Sequence, residues 1–154
     1  GNYFSPMNFK SFKVHDDVKL VTQKLKTLNF INIVISNQPD IARNLMDFSE
    51  LELMTNFLKK NTYIDDIFYC LHDDSSNCLC RKPKTGLFKK AQLKWDIDLS
   101  QSLFIGDTWR DLEAGKNLAI KTIILENNCN SSLKCDIKIK KLTDLLPIIQ
   151  NELY

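Results

Sequence analysis

Glycine and proline are scarce, four of each in 154 residues, and neither clusters. The chain therefore offers no Gly- or Pro-rich linker at which a second domain would hinge, and it contains no internal repeat or low-complexity tract. Neither sign of charge dominates. Lys and Arg number 21 against 19 Asp and Glu, a net charge of +2 that singles out no polyanionic partner, and no run of like charge forms a nucleic-acid arm. Apolar runs are short, none approaching the roughly 18 residues that cross a bilayer. Gly1 to Phe12 lacks the apolar segment of a secretory signal, so a cytoplasmic, thiol-reducing setting is the expectation. With 44% apolar and 26% charged residues, the chain has the makings of one soluble α/β domain spanning residues 1–154, large enough to bury a core.

Hydrophobic periodicity alternates along the chain. Val18, Leu20, Val21, Leu25 and Leu28 follow helical spacing, and Ile31 to Ile35 is a short β-branched run. Phe48 to Leu58 is a second amphipathic helix, with Asp47 or Ser49 as its cap, and Ile64 to Tyr69 a second strand. Helix, strand, helix and strand follow at Thr85–Trp95, Ser102–Ile105, Trp109–Leu118 and Lys121–Leu125, then a strand at Asp136–Ile139 and a helix over Leu142–Asn151. Short, continuously apolar strands separated by helices predict a parallel sheet covered on both faces, a three-layer sandwich. Function in such sheets collects at the carboxyl ends of the strands.

Three polar clusters lie at those ends. The most specific runs from Cys70 to Arg81. Cys70 and His72 are two apart, as are Cys78 and Cys80, and side chains at that spacing in an extended segment leave the same face. The residues between the pairs, Asp73 to Asn77, are polar or turn-forming, so the chain can fold back and offer four N/S donors to a tetrahedral zinc ion. With four protein ligands no coordination position stays open, and the metal would be structural. The competing assignments are ordinary half-buried thiols, a disulfide and a surface histidine. Cys129 and Cys135 fall outside this spacing.

Gly106-Asp107 follows the third strand. A glycine before an aspartate allows a sharp turn that presents a carboxylate, and Asp107 would suit Mg2+, which takes one or two protein carboxylates. Asp111, four residues on, could orient Asp107 or a nearby lysine. Alternatively, Asp107 is a helix N-cap and Asp111 a first-turn acid. Ser36-Asn37-Gln38 offers a hydroxyl, an amide and backbone N–H groups to a phosphate, or is simply a polar turn. Arg81, Lys82 and Lys84 place three cations behind the last cysteine, suited to a phosphoryl group or else to solvent.

Together these clusters resemble the haloacid-dehalogenase superfamily of phosphatases, in particular the branch containing the D-glycero-D-manno-heptose 1,7-bisphosphate and histidinol-phosphate phosphatases. Ser36-Asn37-Gln38-Pro39-Asp40-Ile41-Ala42-Arg43 is similar to that branch's Thr/Ser-Asn-Gln turn and following Gly-Ile-Ala-Arg segment. Cys70, His72, Cys78, Cys80, Arg81, Lys82 and Pro83 match its zinc loop, a motif specific to the branch, and Gly106, Asp107, Asp111, Ala114 and Gly115 match its Gly-Asp-x-x-x-Asp-x-x-Ala-Gly stretch. The similarity runs from about Phe9 to Leu146. It implies a Rossmann-like fold with a parallel central sheet, a structural zinc and a catalytic Mg2+. It further implies that Ser36 binds the transferring phosphate, that Asn37 and Gln38 shape the pocket, and that Lys82 stabilises the phosphoryl group. Arg81 would contact substrate, and Asp107 would hold Mg2+ with support from Asp111.

One departure stands against these matches. The family opens with an apolar strand ending in Asp-x-Asp, whose first aspartate attacks phosphorus and whose second acts as acid and base. Gly1 to Val18 has no such strand, and the single Asp-x-Asp, Asp96-Ile97-Asp98, precedes a strand where relatives carry no catalytic duty. The chain is accordingly a truncated piece of a phosphatase, a deliberately trimmed one, or a natural relative without hydrolysis. Without that strand, the gap between the first and third strands would favour self-association or a partner strand. The resemblance leaves two functions: a Mg2+-dependent phosphomonoesterase acting on a small phosphorylated metabolite, a sugar (bis)phosphate or histidinol phosphate, at least in the complete gene product; and a non-catalytic phosphate-binding or interaction module. A zinc-finger nucleic-acid binder is disfavoured by the lack of a basic face, and nothing suggests a membrane partner.

Overall fold

The computed structural model describes residues 5–152; the first four residues of the Gly1–Phe12 segment discussed above lie outside that range. The chain divides into two compact units, one running to Arg81 and the other beginning at Lys82.

In the first unit, helix α1 (Asp17–Thr27) leads to strand β1 (Ile33–Asn37), and after the short helix α2 (Pro39–Ala42) the longer α3 (Phe48–Asn61) leads to β2 (Asp66–Cys70). β1 and β2 pair in parallel, in register from Ile33 opposite Asp66 to Asn37 opposite Cys70. Met46, Leu51 and Met54 form the buried cluster here, with Phe12, Ile41, Tyr69 and Leu71 packed against it. Loss of water contact by these side chains is the driving term that holds α3 against the segment leaving β2.

In the second unit, α4 (Gly86–Trp95), β3 (Leu103–Gly106), α5 (Trp109–Leu118), β4 (Lys121–Leu125), β5 (Ile137–Ile139) and α6 (Leu145–Glu152) follow one another. β3, β4 and β5 form a parallel sheet in that order. Ile123 and Ile124 in β4 and Leu145 and Ile149 in α6 are essentially fully buried, while Phe88 of α4 meets Phe104 of β3 edge-on at 4.9 Å. No helix of the described residues is long and apolar enough to cross a membrane.

The helices and strands lie where periodicity predicts, with shifts at their ends. β1 starts two residues later than the apolar run and takes in Ser36 and Asn37, and the α3 cap is Asp47, whose side chain makes no capping hydrogen bond. The parallel α/β architecture is as expected, and its strands form two ladders, β1–β2 and β3–β4–β5; among the described strands none pairs with both β1 and β3, the gap that the missing first strand predicts. Helix α2 was not legible at all: four residues are too few for any periodicity.

Gly115 has a steric role. A Cβ there would lie 1.8 Å from Thr122 Oγ1 and 2.9 Å from Thr122 Cβ, so α5 can approach β4 only without a side chain at this point. Gly115→Ala is expected to destabilise the protein by about 1–3 kcal/mol. Adding Thr122→Ala should recover part of that loss in urea unfolding, and no recovery would mean that the clash lies elsewhere.

Candidate functional site

The four donors at the end of β2 converge. Cys70, His72, Cys78 and Cys80 offer ligand atoms that all lie within 4.8 Å of one another. Cys80 Sγ is 3.2 Å from both Cys70 Sγ and His72 Nδ1, and Cys70 Sγ is 3.6 Å from both Cys78 Sγ and His72 Nδ1. A disulfide would need sulfurs about 2.0 Å apart, and none of the five cysteines is in a disulfide. Tetrahedral zinc, with bonds of about 2.3 Å to sulfur and about 2.0 Å to nitrogen, sets neighbouring ligand atoms about 3.5–3.8 Å apart. The observed spacings approach that figure, so the four residues fit a metal ion of zinc's size. Burial, and after it the Cys80 thiol, pushes Cys70 up to about 12. For Cys78 burial also acts upward, but the backbone amides of Arg81 and Cys80 together with the Cys80 and Cys70 thiols outweigh it and bring the thiol down to about 7.

The connecting hairpin is built by local polar bonds. Asp73 accepts from the Ser75 backbone N–H at 3.2 Å and starts a 3₁₀ turn over Asp74–Ser76, after which Asn77 turns the chain at φ 41°. Asparagine tolerates that left-handed region better than most residues. Arg43 braces the turn through Asp73 Oδ2 and Asp74 Oδ2, both at 2.8 Å, while Arg81 Nε donates to Asp74 Oδ1 at 2.8 Å. The Arg43 hydrogen bond holds the Asp73 carboxyl below its usual range. Sequence reasoning placed Arg43 in a motif without a role, since a contact 30 residues away has no local signal.

Ser36 and Asn37 close β1, and the Gln38 side-chain amide donates to Ser36 Oγ at 3.0 Å. The Gln38 backbone N–H donates to Cys70 O at 2.7 Å, so it is already engaged and joins the Ser-Asn-Gln turn to the first cysteine of the donor cluster.

In the second unit, Asp107 follows β3 and is exposed, whereas Asp111 is 3% exposed. Thr108, not Asp107, is the N-cap of α5, in a reciprocal capping box with Asp111. Asp111 Oδ2 accepts from Thr108 Oγ1 at 2.6 Å, from Thr108 N at 2.9 Å and from Asp107 N at 3.2 Å. Its buried Oδ1 has no well-angled hydrogen bond but meets the Lys82 ammonium at 2.7 Å. Burial would raise the Asp111 pKa; the Lys82 charge, then hydrogen bonds from Lys82 and Thr108, outweigh it and hold the carboxyl below its ordinary value. Lys82 also lies 5.8 Å from the Phe104 ring centroid. Asp111 thus holds both the lysine and the backbone that carries Asp107. Asp107 offers a hard oxygen donor in an exposed turn, which fits Mg2+, and Asn127 Nδ2 lies 3.4 Å from its Oδ2. Sequence reasoning missed Asn127 and Asn130, which lie in the loop after β4; a run of asparagines at a strand's carboxyl end was the available signal.

Asp96 and Asp98 have structural work. Asp96 ends α4 in the left-handed conformation, and Asp98 caps a 3₁₀ turn by accepting from the Ser100 backbone N–H at 2.8 Å and from Ser100 Oγ at 2.7 Å.

A family profile described as "HAD-hyrolase-like" matches residues 79–139. The chain is 35% identical over 123 residues to the D-glycero-alpha-D-manno-heptose-1,7-bisphosphate 7-phosphatase of Campylobacter jejuni, covering 77% of this chain and 70% of that protein. The chain belongs to the haloacid-dehalogenase-like phosphatase family. It is also 28% identical over 148 residues to the D-glycero-beta-D-manno-heptose-1,7-bisphosphate 7-phosphatase of Helicobacter pylori, covering 92% and 86% of the two chains. The fold matches the crystal structure of the D,D-heptose 1,7-bisphosphate phosphatase from B. bronchiseptica in complex with magnesium and phosphate. The TM-score is 0.83 at 20% identity, over 95% of this chain and 88% of that one.

In this haloacid-dehalogenase-like protein, removing one member of the buried Lys82–Asp111 pair strands the other. Lys82→Met is expected to destabilise by about 3 kcal/mol, measured by urea unfolding at neutral pH. Because the folded pKa of Asp111 is depressed, its contribution is complete above the unfolded value of about 3.9 and is lost as pH falls through the folded value. Stability should therefore fall less steeply on acidification in Asp111→Asn than in the parent; parallel pH profiles would refute the assignment.

Proposed function

We propose that this protein is a Mg2+-dependent phosphomonoesterase of sugar bisphosphates, with a D-glycero-D-manno-heptose 1,7-bisphosphate as the first substrate to test. The observation that carries the substrate is the 35% identity to the Campylobacter jejuni heptose-bisphosphate phosphatase. What supports the chemistry is a lysine held at 2.7 Å by a buried carboxylate, beside the backbone that mounts an exposed aspartate. Lys82 neutralises charge growing on the transferring phosphoryl group, and its tether to Asp111 fixes the ammonium before substrate arrives. Asp107 is the Mg2+ ligand, and the ion would supply Lewis-acid neutralisation of phosphoryl oxygens. Ser36 Oγ hydrogen-bonds phosphate while Gln38 orients it. Arg81, anchored by Asp74, contacts the substrate.

Cys70, His72, Cys78 and Cys80 hold one structural zinc ion, which staples the hairpin that carries Arg81. Its ligand set is closed, so it takes no part in the chemistry. The purified protein is expected to contain one zinc per chain by elemental analysis, and chelation at neutral pH should lower the melting temperature. A metal-free protein of unchanged stability would refute the assignment.

A second reading is favoured by one observation. Asp96 and Asp98, which form the chain's single Asp-x-Asp, are committed to a helix stop and a turn cap. On that reading the protein binds phosphate without hydrolysing it. The two are separated by measuring phosphate release from the heptose bisphosphate and from histidinol phosphate with Mg2+, in the parent and in Asp107→Ala. Release from the heptose bisphosphate that drops at least about tenfold in the variant is the outcome for a phosphatase that uses this metal ligand. Equal background in both, with orthophosphate still bound, is the outcome for the binding module.

A further inference from the structure

The loop after β4 contains a buried amide that none of the roles above uses. Asn130 is 3% exposed. Its Nδ2 donates to Asp107 O and to Leu125 O, each at 2.8 Å, and its Oδ1 accepts from the Asn127 backbone N–H at 2.9 Å. One side chain therefore clips the residue leaving β3 to the last residue of β4. Asn127 adds a second grip, its Nδ2 lying 3.4 Å from both Asp107 O and Asp107 Oδ2. The loop is tied in turn to β5, where Lys138 Nζ donates to Asn130 O at 3.4 Å and to Ser131 O at 2.9 Å.

We propose that Asn130, assisted by Asn127, is a positioning residue for Asp107, fixing the direction in which that carboxylate is offered to a divalent cation. This rests on the reading of Asp107 as the Mg2+ ligand. The physical argument concerns the backbone. Asp107 stands in an exposed turn between Gly106 and Thr108, where its side-chain direction is set by the two peptide units that flank its Cα. The N–H of the first is held by Asp111 Oδ2, and the carbonyl of the second by Asn130. Two clamps on one residue remove the freedom that a turn would otherwise retain, and the ordering is complete before metal binds. Only an uncharged amide suits the second clamp: both of its N–H groups point at backbone carbonyls, so a carboxylate of the same shape would face two acceptors and an aliphatic side chain would leave both unmet. Outer partners that orient a metal ligand are commonly worth a factor of about 10–100 in metal affinity.

The test uses Mn2+ as a paramagnetic stand-in for Mg2+, titrated into the zinc-loaded, 15N-labelled protein while amide signals are followed. In the parent, broadening should centre on residues 106–111. Asn130→Ala is expected to raise the Mn2+ midpoint about tenfold, with a smaller rise in Asn127→Ala. Ile149→Val, which loosens the same unit away from the loop, should leave the midpoint unchanged, so a shift there would mean that general destabilisation is being read and would overturn the proposal. Unchanged midpoints in both asparagine variants, with broadening abolished by Asp107→Ala, would overturn the positioning role and leave the magnesium reading intact. Broadening that survives Asp107→Ala, or that is absent from the parent, would overturn that reading and this proposal together. If Asn130→Ala does not fold, the more exposed Asn127→Ala carries the test.

Discussion

The second unit is organised around one buried carboxylate. Asp111 gathers three donors on one oxygen and an ammonium beside the other, and each of these bonds has a consequence beyond α5. The Thr108 contacts start the helix, the Asp107 contact holds the turn, and the Lys82 contact restrains a cation that would otherwise sample many rotamers. Desolvating a charge is costly, so this carboxylate persists only because every partner is in place. Close packing around it is equally strict: a Cβ at Gly106 would come within 2.2 Å of Asp111 Cβ. The glycine that a sharp turn suggested is required for a different reason, because Asp111 lies against it.

The first unit solves a similar problem with soft donors. A hairpin of polar residues buries too little apolar surface to order itself. Here Arg43 and Arg81 converge on Asp73 and Asp74, and four N/S donors close the base. Exposed ion pairs contribute little singly, so the donor cluster is the stronger constraint. Metal binding requires thiolates; burial pushes the Cys70 thiol up, whereas backbone amides and neighbouring thiols bring Cys78 down. The Gln38 N–H to Cys70 O bond carries this order directly into the end of β1.

Much of the candidate site was legible from residue spacing. The two Cys/His pairs with a polar spacer announced a four-donor cluster, and the Gly-Asp-x-x-x-Asp spacing put Asp107 and Asp111 on one helical turn. Partnership was not legible. Three options stood open for Asp111, orienting Asp107, orienting a lysine or serving as a first-turn acid, and it is a first-turn acid that bonds both the Asp107 N–H and Lys82. The alternative reading of Asp107 as the helix cap falls one residue short: Asp107 and Thr108 are both good caps, and only the backbone geometry at 108, extended with its hydroxyl toward Asp111 N, decides between them. Asn130 was invisible because its partners are 23 and five residues away.

By itself the sequence determined the alternation of helices and strands, the parallel character of the sheets and the residue types that collect at strand ends. These follow from short-range periodicity and from the side chain's own chemistry. Tertiary structure alone decided how the strands divide between two ladders, which carboxylate holds the lysine, and how the turns are clamped. Such choices depend on packing and on hydrogen bonds between residues far apart in the chain, and no local pattern encodes which of several competent donors will reach a given acceptor.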